Sequence, residues 1–406
     1  LCRMATVKQC WRWFGPVDPI SLSDLHQVGV KGIVTALHDI PPGEVWPLEA
    51  IQSRQKVLRA NDFDWDVVES LPVSEAIKTQ GPETARHIAN YKESLQALAQ
   101  SGIRTICYNF MPILDWTRTA LRAPQPHGGT AMAFDLIDFA AFDLFILKRK
   151  AARQDYGEAL QEIAQARFAS MDCAAHQTLC DTIIVGLPGA ADRWTLGDVT
   201  AHLSNYDSID ADQLRANLID FLAEVAPLAQ SLGLRLCCHP DDPPFSLLGL
   251  PRVMSSTADY VAMLEAVDIH ANGATLCTGS LGVAPDFDPV DFVQHLGGRI
   301  HFAHLRNTTR QQSPDPARPH FFEAAHLDGD TDMVATVRAL IAEEARRSCE
   351  GREDRVIPMR PDHGQELLTD LGGHSTPGYP LIGRMRGLAE LRGVMSACAT
   401  GSALPR

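Results

Sequence analysis

The chain has 406 residues, a length that suits two or three ordinary domains or one large α/β barrel with insertions. Apolar residues make up 45% and charged residues 21%, which excludes a disordered or fibrous chain. With 36 Lys and Arg against 50 Asp and Glu the formal charge is −14, which argues against nucleic acid or an acidic membrane face as the main partner. A small anion held by a few arginines is compatible with that balance.

The 10 cysteines are too sparse for a disulfide scaffold, none forms a C-x-x-C pair, and Cys237 and Cys238 are adjacent. That usage suits free thiols in a reducing compartment, the cytoplasm in the simplest reading. No apolar run reaches the roughly 18 residues needed to span a bilayer. The first 13 residues lack the apolar stretch of a secretory signal, and Met4 reads as a start site.

Short β-rich runs alternate with helical patterns along the chain, the signature of βα units and a parallel sheet. Strands are predicted at 31–37 (KGIVTAL), 64–69 (DWDVVE) and 103–108 (IRTICY). Four more follow at 234–238 (LRLCC), 274–277 (ATLC), 300–304 (IHFAH) and 355–357 (RVI). Helices are predicted over about 83–100, 210–231 and 332–348, and Gly102 and Gly233 stand where a helix C-cap precedes the next strand. A closed barrel wants eight strands, and the missing one is expected between 112 and 234, at 130–134 (TAMAF) or 182–187 (TIIVGL). The charged segment at about 143–181 reads as a helical insertion. The expectation is an α/β (β/α)8 TIM barrel, one elaborated domain over 1–406 with a helical insertion in its first half.

Polar residues gather where the predicted strands end. His239, Cys277 and His304 each close a strand, and Asp362 follows the last one in Arg-Pro-Asp-His-Gly. The C-terminal ends of the strands form the catalytic face of such a barrel, and residues two apart share a face. Four donors would therefore converge on one mouth. Two imidazoles, a thiolate and a carboxylate suit a divalent metal: the thiolate and imidazoles lean toward zinc or iron, the carboxylate toward manganese or iron. The alternative for each residue alone is a hydrogen-bonded mouth residue or a packed thiol. His363 is an acid/base candidate or a loop histidine, and Tyr379, in Thr-Pro-Gly-Tyr-Pro, a rigidly held phenol or a structural corner. Arg306 and Asn307 can grip a carboxylate or hydroxyls. His38 and Asp39 follow the first predicted strand, as substrate contacts or loop caps. His326, Asp328 and Asp330 precede a helix and read as N-terminal capping rather than as ligands. Walker A, G-x-G-x-x-G, H-E-x-x-H and G-x-S-x-G patterns are absent from the sequence.

At this point the chain resembles a known family, mannonate dehydratase, over almost its whole length, from WRWFGP at 11–16 to GLAELRG at 387–393. The resemblance rests on HDIP at 38–41, GEVW at 43–46, YNFMP at 108–112, DWTRT at 115–119, HPDDPP at 239–244, CTGS at 277–280, HLR at 304–306 and RPDHG at 360–364. It implies a metal-dependent TIM barrel related in fold to xylose isomerase, which converts D-mannonate to 2-keto-3-deoxy-D-gluconate in glucuronate breakdown using one Mn2+ or Fe2+. The implied ligands are His239, Cys277, His304 and Asp362, the same four reached from the strand ends. The implied acid/base pair is His363 and Tyr379, with the division of roles open. Arg306, Asn307, His38 and Asn109 are taken as substrate contacts, and a homo-oligomer is expected. The residues before Met4 and Cys237 beside the first ligand depart from the family pattern. A sugar isomerase or epimerase is the alternative on the same barrel, followed by a non-catalytic binding descendant and last by an AP-endonuclease-like role.

Overall fold

The computed structural model describes residues 7–184 and 195–401. Met4 and the second half of the 182–187 strand candidate lie outside the described residues. The strands among them are β1 (Lys8–Arg12), β2 (Gly32–Thr35), β3 (Trp65–Glu69), β4 (Thr105–Tyr108), β5 (Ala120–Pro124) and β6 (Thr130–Phe134). The series continues with β7 (Arg235–Cys238), β8 (Asn272–Cys277), β9 (Ile300–Leu305), β10 (Asn307–Gln311), β11 (His320–Ala324) and β12 (Pro358–Pro361).

Eight of these close a parallel barrel in the order β1-β12-β9-β8-β7-β4-β3-β2. The TIM barrel is therefore as expected, but its eighth strand is not where the sequence placed it. The missing strand is β1, ahead of all those predicted, pairing with β2 on one side and β12 on the other. Lys8, Gln9 and Arg12 break its apolar run and hide it from a hydropathy reading, although Cys10, Trp11 and Arg12 are all fully buried. Residues 130–134 do form a strand, β6, but an antiparallel one outside the barrel. Residues 182–184 end the helix Cys173–Ile184. The last barrel strand sits at Pro358–Pro361 rather than 355–357, bracketed by two prolines that argue against a strand in sequence.

Outside the barrel, β10-β11-β6-β5 form a four-stranded antiparallel sheet. Its hairpins come from two separate excursions, one after β4 and one after β9, joined where Phe321 pairs with Phe134. The segment expected as a helical insertion holds a π-helix at Phe142–Leu147 and helices at Ala152–Asp155, Glu158–Ser170 and Cys173–Ile184. The sheet beside it was not expected.

The helices form for ordinary reasons. In Ala211–Ser231 the Asp210 side chain caps the first turn by accepting from the Gln213 N–H. Leu214, Leu218, Phe221, Leu222, Val225 and Ala229 then repeat at helical spacing and are buried. Inside the barrel, Cys10, Val34, Val67, Cys107, Cys237 and Phe302 form one apolar layer. Two residues further along their strands, on the same face, stand Arg12, Ala36, Glu69, Asn109, His239 and His304. An apolar plug thus carries a largely polar layer directly above it, at the C-terminal mouth.

Candidate metal centre and active site

His239, Cys277 and His304 bring one donor atom each to within 4.8 Å of one another. The adjacent strands β8 and β9 place Cys277 and His304 side by side in register, and His239 follows the end of β7. His239 Nε2 faces His304 Nδ1 at 3.1 Å. Each ring turns its other nitrogen to an oxygen: His239 Nδ1 lies 2.7 Å from the Pro240 carbonyl, and His304 Nε2 lies 3.3 Å from Glu69 Oε1. With His239 Nδ1 donating to that carbonyl, the Nε2 lone pair faces His304 Nδ1, an arrangement that a cation between the rings satisfies. Burial pulls the pKa of His239 down, which keeps its lone pair free. The donor set therefore fits a divalent metal.

Asp362 stands beside this triad, with Oδ2 3.8 Å from Cys277 Sγ and 3.9 Å from His304 Nδ1. Its oxygens are engaged by Arg306, at 3.0 Å, and by Arg360. Burial disfavours the ionised carboxyl, but Arg360, His363, His304 and Arg306 together hold its pKa well below the usual range. Arg360 also forks onto Glu69 through bonds of 2.8 and 2.7 Å. Three of the four expected metal-site residues form the cluster, and Asp362 stands beside it with its oxygens taken up by arginines, inside a lattice of buried cations and anions.

His363 and Tyr379 share a second wall of the same mouth, with ring centroids 5.0 Å apart and an edge-to-face tilt. Both line a small cavity of about 40 Å³ together with His239, Arg306 and Asp362. His363 Nδ1 lies 3.1 Å from Glu323 Oε1. Burial pushes the Tyr379 phenol up to about 12, so it stays protonated at neutral pH. Phe14 meets its ring edge-on at 4.9 Å, and the Arg384 guanidinium lies 5.2 Å from the ring centre. Gly378, at φ +80°, lets the chain turn into the site; a Cβ there would stand 2.4 Å from Met132.

The expected substrate contacts divide. Asn109 lines the small cavity and also an adjoining chamber of about 360 Å³, with its amide donating to Asp115 at 2.8 Å. His38 lines the chamber only, 3.2 Å from Arg12; burial, with Arg12 and Arg54, lowers its pKa to about 3, so the ring is neutral. Arg306 lines the small cavity, but its guanidinium is committed to carboxylates: Nη2 to Asp242 and Nη1 to Asp362, both at 3.0 Å, with Nε 3.0 Å from Glu323. Gly279 makes room for it, since a Cβ there would lie 2.0 Å from Arg306 Nε. Asn307 lines neither cavity. Its amide donates to the carbonyls of His326 and Thr331 and accepts from Thr308 and Thr331, so the side chain ties down the following loop. Asp332 caps the helix Met333–Cys349, while Asp330 binds Arg310.

Several residues of the mouth have no site role in the sequence reading: Arg12, Glu69, Arg118, Glu323, Arg360 and Asp242, the last of which reads in sequence as a turn residue before Pro243-Pro244. Arg12 and Glu69 obey the alternation that exposed His239 and His304, being two residues beyond Cys10 and Val67. Arg12 was lost with the unrecognised β1. Arg118 and Glu323 come from the antiparallel sheet region, where no strand-end rule applies.

An eight-stranded parallel barrel with a His–Cys–His cluster at its C-terminal mouth has the architecture of a TIM-barrel enzyme with a candidate metal site. A xylose isomerase-like TIM-barrel protein from Mycobacterium smegmatis, solved in complex with magnesium, shares the fold at a TM-score of 0.52 and 13% identity, covering 97% of this chain and 98% of that one. The crystal structure of mannonate dehydratase from Streptococcus suis serotype 2 is 30% identical, covers 99% of this chain and 96% of its own, and superposes with a TM-score of 0.76. Mannonate dehydratase 1 of Agrobacterium fabrum strain C58 is 54% identical over 395 residues, 97% of this chain and 98% of that protein. Residues 7–403 match the D-mannonate dehydratase (UxuA) family, and the chain belongs to it.

Proposed function

We propose that this enzyme is a hydro-lyase that removes water from D-mannonate to give 2-keto-3-deoxy-D-gluconate, a step of glucuronate catabolism. The observation that carries the reading is the pairing of the His–Cys–His cluster with His363 and Tyr379 at one barrel mouth. One Mn2+ or Fe2+ would be held by His239, Cys277, His304 and Asp362; when bound, it supplies Lewis-acid polarisation of substrate oxygens. The thiolate and imidazoles alone suit zinc or iron; the choice of Mn2+ or Fe2+ rests on the resemblance to the mannonate dehydratase family.

Dehydration needs a base for the proton on C2 and an acid for the hydroxyl leaving C3. His363 takes the base role, because a carboxylate at Nδ1 leaves Nε2 with its lone pair. Tyr379 takes the acid role, because its phenol is neutral at working pH. The C2 proton goes to His363, the phenol proton goes to the departing hydroxide, and the enol left behind tautomerises to the 2-keto acid. Asn109 and His38 line the space available to the rest of the sugar chain. Among the described residues no helix is long and apolar enough to cross a membrane. We read the protein as a cytoplasmic homo-oligomer, the second property being open to light scattering.

The test is a 2-keto acid assay on D-mannonate after reloading the stripped protein with Mn2+, Fe2+ or Zn2+ under reducing conditions. Product with Mn2+ or Fe2+ and little with Zn2+ is expected. A fully metallated protein that releases no 2-keto acid, yet interconverts aldoses and ketoses, would replace this reading by an isomerase.

A further inference from the structure

Glu323 does not belong to the barrel. It lies on β11, in the antiparallel sheet, yet its fully buried carboxylate reaches the barrel mouth. Oε1 lies 3.1 Å from His363 Nδ1 and accepts from Arg118 Nη2 at 2.8 Å, while Oε2 lies 3.0 Å from Arg306 Nε. Arg118 is itself fixed to Asp242 by two bonds of 2.8 and 3.1 Å. The same sheet fastens the loop after His363 at further points. Gln365 Nε2 donates to the Glu323 carbonyl at 3.0 Å, and Thr130 and Glu366 exchange backbone hydrogen bonds of 3.1 and 2.8 Å.

We propose that Glu323 is a positioning residue for the dehydration: it takes the Nδ1 proton of His363 as a hydrogen bond, fixing the tautomer and plane of the ring, so that Nε2 meets the substrate with its lone pair. The proposal rests on the reading of His363 as the base. An ionised carboxylate only accepts, so this contact decides which ring nitrogen carries the proton. Arg118 and Arg306 also hold Asp242, whereas His363 Nδ1 has Glu323 as its side-chain hydrogen-bond partner. Two excursions from different strands meet in one sheet, and this contact is what the sheet delivers to the chemistry.

The test compares Mn2+-loaded Glu323→Gln, Glu323→Asp, His363→Asn and the double variant Glu323→Gln/His363→Asn, with metal content and melting recorded for each. Gln keeps the shape but donates as well as accepts, so the tautomer is no longer imposed. Asp keeps the charge, and with it the balance of the buried arginines, but draws the carboxylate back by one methylene. Both single Glu323 variants are expected to lose about 10²-fold in kcat, within the range of a general base, with KM little changed. The isotope effect on kcat with C2-deuterated mannonate should rise, because proton abstraction becomes slower. The double variant should be no slower than His363→Asn alone, since Glu323 acts through that ring. Undiminished kcat in both Glu323 variants, or losses that multiply in the double variant, would overturn the proposal. If His363→Asn alone turns over normally, the base assignment itself has failed, and the positioning role falls with it.

Discussion

At the scale of single residues, the candidate metal site is the part of the molecule most open to reading from sequence. His239, Cys277 and His304 end strands whose apolar runs are plain, and alternation puts them on one face. Cys277→Ser replaces a soft, ionisable donor by a hydroxyl, and the expected outcome is loss of most bound metal on dialysis, read by elemental analysis. Full retention would remove Cys277 from the ligand set. Arg306 was legible as a cation near substrate, but its partners were not, because Asp242 and Glu323 reach it from two other parts of the chain. Its truncation leaves three carboxylates short of a buried counter-charge. Arg306→Ala should therefore cost about 3–5 kcal/mol of stability, seen as a lower midpoint in urea. A variant that melts normally and only binds mannonate more weakly would return Arg306 to a simple substrate contact.

At the scale of elements, what the sequence conceals follows from what a strand must do here. β1 and β12 carry Arg12 and Arg360 inward to the polar layer, so they trade the apolar pattern that marks a strand for function. β5, β6, β10 and β11 are stabilised by each other across nearly 200 residues of sequence, a pairing that no local pattern records. Their join is aromatic: Phe134 and Phe321 stack with centroids 5.5 Å apart, and Arg118 lies 4.8 Å from the centre of the Phe321 ring. Phe321→Ala should remove a buried ring at about 3–5 kcal/mol and also lower kcat, since Arg118 and Glu323 flank the gap. Urea melts and turnover at a temperature where the variant stays folded separate the two effects. Lost stability with unchanged kcat would mean that the sheet supports the barrel without aligning its chemistry.

At the scale of the whole molecule, the mouth is not the only place where charge is buried. Beside the opposite, N-terminal end of β12, Glu344 accepts from the Ile357 N–H at 2.7 Å through one oxygen, while the other finds no partner among the described residues. Burial raises its pKa to about 7, against the opposing pull of that N–H and of Arg347. Asp354, on the same end, is held low instead: burial is outweighed by Arg352, His270 and Arg347. The two have opposite consequences. A depressed carboxyl contributes stability that is present above its unfolded pKa and lost as pH falls through the folded value, so Asp354 matters only in acid. A raised carboxyl does the reverse: the folded state binds its proton more tightly, so stability declines as pH climbs from about 4.5 to about 7, then stays level. Glu344→Gln keeps an acceptor for Ile357 and removes the ionisation. It should melt like the parent near pH 4.5 and gain steadily toward pH 7, reaching up to about 3 kcal/mol at pH 8. Paired melts at pH 5, 6, 7 and 8 decide the matter. A difference that is flat across that range would show that the Glu344 carboxyl does not titrate there, and that solvent or a shifted side chain relieves its burial.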